Sequence, residues 1–124
     1  MSEQDPGTAF HITLLHTPTP ARILRLHGEL DYAAGPHLRR ALTSEIEARP
    51  PLLVLDLSTL LFCDSSGLNE FLRARRNRYD VPLVLVAPSD PVLRLLEVTQ
   101  THTVFVLAES IPAALAYHEI DTPE

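Results

Sequence analysis

The chain has 124 residues, is 45% hydrophobic, and sets 16 acidic residues against 10 basic ones, for a formal net charge of -6. This composition supports one packed domain and is too apolar for a disordered tail, while the acidic balance argues against nucleic acid, whose phosphates reward a basic face. No apolar run reaches the ~18 residues of a membrane span, and the single cysteine, Cys63, excludes an intrachain disulfide and any multi-cysteine zinc site.

The opening stretch, MSEQDPGTAF, is polar and acidic and does not resemble a secretory leader. A soluble cytoplasmic protein with no membrane contact is therefore expected, with residues 1–8 disordered and one folded domain over 9–120. FHITLLH alternates Phe10, Ile12 and Leu14 with polar neighbours, the period of a half-buried strand. TPTP marks a turn, and ARILRLHGEL is expected to return as the second strand of a hairpin. AAGPHLRRALTSEIEA changes to helical spacing: Leu38, Ala41, Leu42 and Ile46 form an apolar stripe interrupted by Glu45, with Pro36 in the first turn.

PPLLVLDLS is a short continuous apolar run, the pattern of a strand covered on both faces. A second helix is expected from near Ser66, with Leu68, Phe71 and Leu72 on one side. VPLVLVAP reads as another buried strand, SDPVLRLLEVTQ as a helix capped by Ser89 or Asp90, TVFVLA as the last strand, and SIPAALAYHEI as a helix capped by Ser110. The order β-β-α-β-α-β-α-β-α implies an α/β fold. Its mixed, largely parallel sheet has an antiparallel hairpin at the start and helices interleaved between the remaining strands.

In such folds chemistry collects where strand carboxyl ends meet helix amino ends. CDSSGL occupies one of these places. Asp64, Ser65 or Ser66 would serve as a helix cap for stability alone. Three oxygen-bearing side chains in a row exceed what one cap requires, however, and Gly67 removes bulk beside Ser66, which would let another protein approach the hydroxyl. As a nucleophile Ser66 lacks the first glycine of a G-x-S-x-G elbow and an evident base. His27 is the best-placed base by position, at the end of the second strand.

The six histidines show no metal spacing, and four glycines, at 7, 28, 35 and 67, make no phosphate loop. Cys63 reads as a small buried hydrophobe. RARRNR, with Arg73, Arg75, Arg76 and Arg78, reads as a solvated helix face or an ion-pairing edge for an acidic partner. Asp31 of GELD either starts the first helix or joins the 64–66 turn in one polar rim, if the second and third strands are neighbours.

HGELDYAAGPHLRRAL, LVLDLSTLLFCDSSGLNEFLRARR and LEVTQTHTVFVLAESIPAAL together resemble a STAS domain, most nearly the bacterial anti-sigma factor antagonists, over roughly residues 10–118. The resemblance implies a binding switch rather than an enzyme. The unphosphorylated antagonist would bind an anti-sigma factor, often a GHKL-type serine kinase, and phosphorylation would release it. By motif position the acceptor would be Ser66, with Asp31, Asp64, Ser65, Ser66 and Gly67 facing the partner. No cofactor is implied for this chain, since ATP and magnesium would belong to the kinase. A STAS scaffold or sensor module that is not phosphorylated, and a small serine hydrolase, are the alternatives. The family commonly has a glycine between the third helix and the last strand. Here the segment is VTQTHTVF, so Gln100 or Thr101 is expected to alter that turn.

Overall fold

The computed structural model describes residues 9–121, so the expectation for 1–8 lies outside the described residues. The strands are β1 (His11–Leu15), β2 (Arg22–Leu30), β3 (Leu53–Cys63), β4 (Leu83–Val86) and β5 (Val106–Ala108). The helices are α1 (Gly35–Glu47), α2 (Ser65–Arg75), α3 (Asp90–Val98) and α4 (Ile111–Asp121), with a short 3-10 turn at Thr101–Thr103 before β5. The strands lie in the sheet in chain order, with β1 antiparallel to β2 and every later pair parallel. This is the expected α/β architecture.

Alternation along β2 and β3 divides the core between two faces of the sheet. Leu24, Leu26, Leu53, Leu55 and Leu57 pack with α1, α2 and α3 on one face. Ile23, Val54, Val84 and Val86 pack with Ala114 of α4 on the other. Three successive right-handed crossovers stepping across a sheet in one direction must pass over the same face, which is where α1, α2 and α3 lie.

β3 is longer than its apolar run suggested and continues through Ser58 to Cys63. It carries two register shifts against β2, where Arg25 pairs with Asp56 but His27 with Thr59, and Gly28 with Leu60 but Glu29 with Phe62. Each inserts one extra residue into β3, the signature of a β-bulge, which re-aims the side chains that follow. In consequence Leu61 and Phe62 are 50% and 44% exposed. Near the middle of the strand Asp56 is buried and satisfied. It accepts from Arg25 Nε at 2.8 Å and from the Ser58 amide at 3.0 Å.

Pro36 sits in the first turn of α1 as expected, and Glu45 breaks the apolar stripe because it accepts from Arg22 of β2 at 2.7 Å. Ser89 occupies the N-cap of α3, but its hydroxyl donates to the Leu60 carbonyl of β3 and makes no cap bond. Ser110 does cap α4, accepting from the Ala113 amide at 3.1 Å. After α3 the chain turns through Gln100 at φ 63°, so this glutamine takes the left-handed conformation that glycine favours just past a helix end.

Candidate partner-facing site

Two loops meet at the carboxyl ends of β2 and β3. Leu30 pairs with Cys63, and the Asp64 amide donates to the Leu30 carbonyl at 3.2 Å, so the turn after GELD and the turn at CDSS are neighbours. Asp31 is exposed. Its side chain accepts from the Ala34 amide at 3.0 Å, and its carbonyl accepts from the amides of Ala34 and Gly35. It thus shapes the turn that delivers the chain into α1, and it shares one end of the sheet with residues 64–66.

Asp64 is the N-cap of α2. Its Oδ1 accepts from the amides of Ser66 (3.0 Å) and Gly67 (3.2 Å) and from the Ser66 hydroxyl at 2.6 Å. Partial burial alone would raise the Asp64 carboxyl. The bonds from the Ser66 hydroxyl and from the amides of Gly67, Ser66 and Tyr32 outweigh that, and hold it below the ordinary carboxylate range. One carboxylate therefore satisfies two of the orphan donors of the helix start and also orients the neighbouring hydroxyl. Ser65 begins the helix and is exposed, whereas Ser66 is half-buried and opens onto a cleft of about 720 Å³. Tyr32, Arg39, Arg40 and Asn69 are among the other residues lining that cleft.

Gly67 plays a different part from the one its sequence position suggested. It is buried, and a Cβ there would lie 2.7 Å from Leu30 Cδ2 and Cγ and 2.9 Å from Cys63 Sγ. Its missing side chain lets α2 seat against β2 and β3; it does not clear a path to the Ser66 hydroxyl. Cys63 is buried beside it. Desolvation, with the Asp64 charge adding to it, pushes the thiol up to about 12, so it is an inert part of the core.

His27 is not at the end of β2 but inside it, on the face away from α1, α2 and α3. Its Nε2 lies 3.0 Å from Thr13 Oγ1 and its Nδ1 3.1 Å from Thr59 Oγ1, and its ring stacks on His11 at 4.2 Å. Desolvation, and then repulsion from His11 and Arg25, hold it below the ordinary histidine value despite Asp56. It has no contact with Ser66. Among the described residues no group of three or more His, Cys, Asp or Glu could hold a metal ion.

The arginines of RARRNR divide. Arg75 Nε donates to the Val104 carbonyl at 2.7 Å. Arg73, Arg76 and Arg78 line a second cleft, of about 280 Å³, between α1 and α2. Its inner wall includes Glu70, which is buried and accepts from Arg39 Nη2 at 2.9 Å and from Arg39 Nε at 3.2 Å.

Three apolar side chains near the turn were not singled out from the sequence. Tyr32 follows Asp31 and is 82% exposed, and Leu61 and Phe62 close β3 just before the motif. Exposed aromatics of this kind are the usual anchors of a protein interface. Their residue types pointed to the core, and the bulges that turn β3 outward leave no mark in the residue pattern.

The model of the STAS domain matches residues 12–114. The chain belongs to the STAS domain family. Solved structures agree in fold. An anti-sigma factor antagonist from Mycobacterium paratuberculosis superposes with a TM-score of 0.81 at 22% identity, covering 93% of this chain and 97% of that one. The anti-sigma factor antagonist SpoIIAA in its unphosphorylated form gives 0.72 at 20% identity, over 91% of this chain and 100% of its own. SpoIIAA in its phosphorylated form, described as a Bacillus cell fate determinant, gives 0.64 at 19% identity, over 86% and 98%. No helix among the described residues of this STAS domain is long and apolar enough to cross a membrane.

Proposed function

We propose that this STAS domain is an anti-sigma factor antagonist. Its rim of Asp31, Asp64, Ser65 and Ser66 binds an anti-sigma factor that is a GHKL-type serine kinase, and phosphorylation of Ser66 releases it. Gly67 belongs to the site as a packing element beneath the rim. The observation that carries the reading is the Ser66 hydroxyl, held at 2.6 Å by Asp64 at the start of α2 and facing an open cleft beside the exposed Tyr32. The hydroxyl proton is committed to Asp64, which leaves the oxygen lone pairs free for attack on a phosphorus atom. The kinase brings ATP and magnesium. An Oγ–P bond forms, the bond from the γ-phosphorus to the bridging oxygen breaks, ADP departs, and the hydroxyl proton is lost to solvent or to a base.

The product carries about -1.5 to -2 charges at neutral pH, next to Asp64. A partner packed over this rim must desolvate that charge or withdraw, and mispaired interfacial charges commonly cost about 2–5 kcal/mol. The same geometry disfavours a hydrolase, because the hydrogen bond from Ser66 Oγ goes to Asp64 and to no histidine. The activity is therefore regulatory and not enzymatic, in a cytoplasmic setting where sigma factors work.

The test has two parts. The cognate kinase and ATP should label Ser66, read by fragmentation mass spectrometry; label mainly on the more exposed Ser65 would overturn the assignment. Ser66→Asp should lose at least about tenfold in affinity for the kinase by calorimetry. Its melting point should move by no more than about 4–8 °C. Equal affinity would count against a local electrostatic switch.

A further inference from the structure

The helix start that holds Ser66 has little left to offer an added anion. The amides of Ser66 and Gly67 are already taken by Asp64 Oδ1, and Asp64 is itself a carboxylate within hydrogen-bond reach of the Ser66 oxygen. A phosphate on Ser66 must find its donors elsewhere, and the cleft supplies them, chiefly from the α1 wall. Arg39 and Arg40 of α1 and Asn69 of α2 line the same cleft as Ser66. Arg39 grips Glu70, bonding both carboxylate oxygens at 2.9–3.2 Å. Glu70 follows Ser66 by four residues on α2, so the two side chains sit one above the other on one helix face, with Cβ atoms about 5–6 Å apart. A guanidinium seated on Glu70 is therefore one helical turn from the Ser66 oxygen, within the swing of a half-exposed arginine. Arg40 is exposed and makes no ion pair among the described residues.

We infer that Arg39 and Arg40 are an intramolecular receptor for phosphate on Ser66, with Arg39 passing from Glu70 to the phosphate while Arg73 stays beside Glu70. This rests on the reading of Ser66 as the phosphoacceptor. It adds that the α1 face is rewired by modification, so that the partner meets a changed α1–α2 clasp as well as a new charge. Arg73 Nε already lies 3.8 Å from Glu70 Oε1, which keeps the buried carboxylate partnered during the exchange. Ser65, one residue earlier, does not line the cleft, so phosphate there would be solvated and without these arginines.

The experiment installs phosphoserine at position 66 or 65 during translation, without any kinase, and follows the phosphate by phosphorus NMR across a pH titration. The neighbouring Asp64 charge raises the second ionisation of phosphoserine 66, and the arginines lower it, so in the folded protein it should lie about one unit below its value in the protein carrying both Arg39→Gln and Arg40→Gln. That is the low end of the shift for an anion beside an arginine. Arg40→Gln alone should give part of this difference. Phosphoserine 65 should respond to neither substitution. Arg40→Gln touches no ion pair among the described residues, so it decides the question even if Arg39→Gln loosens the fold. A titration at 66 that is the same with and without the two arginines, or an equal response to their loss at 65, would each overturn the inference. Because no kinase takes part, a failure of enzymatic labelling at Ser66 would refute the phosphoacceptor reading and leave this result independent of it.

Discussion

Replacing Gly67 by alanine opposes two effects of known size. Alanine in place of glycine inside a helix is favourable by about 0.8–1.0 kcal/mol. Against this, the added Cβ would stand 2.7 Å from two atoms of Leu30 and 2.9 Å from Cys63 Sγ, where carbon contacts are comfortable at about 3.5–4.0 Å. Leu30 has no exposed surface into which it can retreat. One of the crowded atoms is its branching Cγ, so a change of terminal rotamer does not relieve the clash. Overpacking of a tight core costs about 1–3 kcal/mol, and two crowded neighbours put this site in the upper part of that range. The net expectation is a loss of about 1–2 kcal/mol. For a chain of this size that corresponds to a melting point lower by roughly 4–10 °C. Urea and thermal melts of the two proteins measure it. Adding Cys63→Ala to Gly67→Ala should return part of the loss, as coupled neighbours do. A Gly67→Ala protein as stable as the parent, or more stable, would refute the close-packing argument and leave helix propensity in command.

Asp64→Ala should cost about 0.5–2 kcal/mol at neutral pH through loss of the cap. The native carboxyl titrates below its unfolded value, so its contribution is complete above about pH 5 and is lost as pH falls through the depressed native value. Denaturant melts should therefore show a shallower acid limb in the variant. His27 runs the other way: with its native value lowered, the unfolded chain takes the proton first. Stability should thus fall as pH drops below about 6.5. His27→Gln should flatten that slope, and an unchanged slope would show that the stacked pair is not its source. Gln100→Gly should stabilise by about 0.5–1 kcal/mol, since the left-handed backbone costs a side chain about 1–2 kcal/mol and the glycine chain loses part of that in entropy. A lower melting point would locate the turn's strength in the glutamine itself.

The order of elements and the polarity of the sheet were legible from the residue pattern because β4 and the first half of β3 are covered on both faces and read as apolar runs. The prolines and caps punctuated the helices for local reasons that the sequence carries. The candidate site was legible as a turn, since an acid and two serines before a helical stripe already define an N-terminus. What each residue does there was less so. Gly67 looked like clearance for a partner, yet its neighbours Leu30 and Cys63 come from two strands that only the fold brings together. Ser89 looked like a cap, yet its hydroxyl turns to the Leu60 carbonyl of another strand. Leu61 and Phe62 were not singled out, because a bulge changes facing without changing composition. Arg39 and Glu70 are 31 residues apart, and no local pattern announces their pairing.

The one-directional march of strands bears on what kind of ligand the rim can hold. Open parallel sheets make a slot for small molecules where the connections from adjacent strands depart over opposite faces, because the loops then peel apart. Between β2 and β3 they do not: α1 and α2 leave over the same face, and the loops bearing Asp31 and Ser66 lean together. Divergence comes only at β4 and β5, whose following helices α3 and α4 take opposite faces, away from Ser66. The end of the sheet that carries the serines thus has no slot between its strands, and the cleft beside Ser66 opens between α1 and α2 instead. A second macromolecule can cover this end by pressing against it, with neither fold having to open.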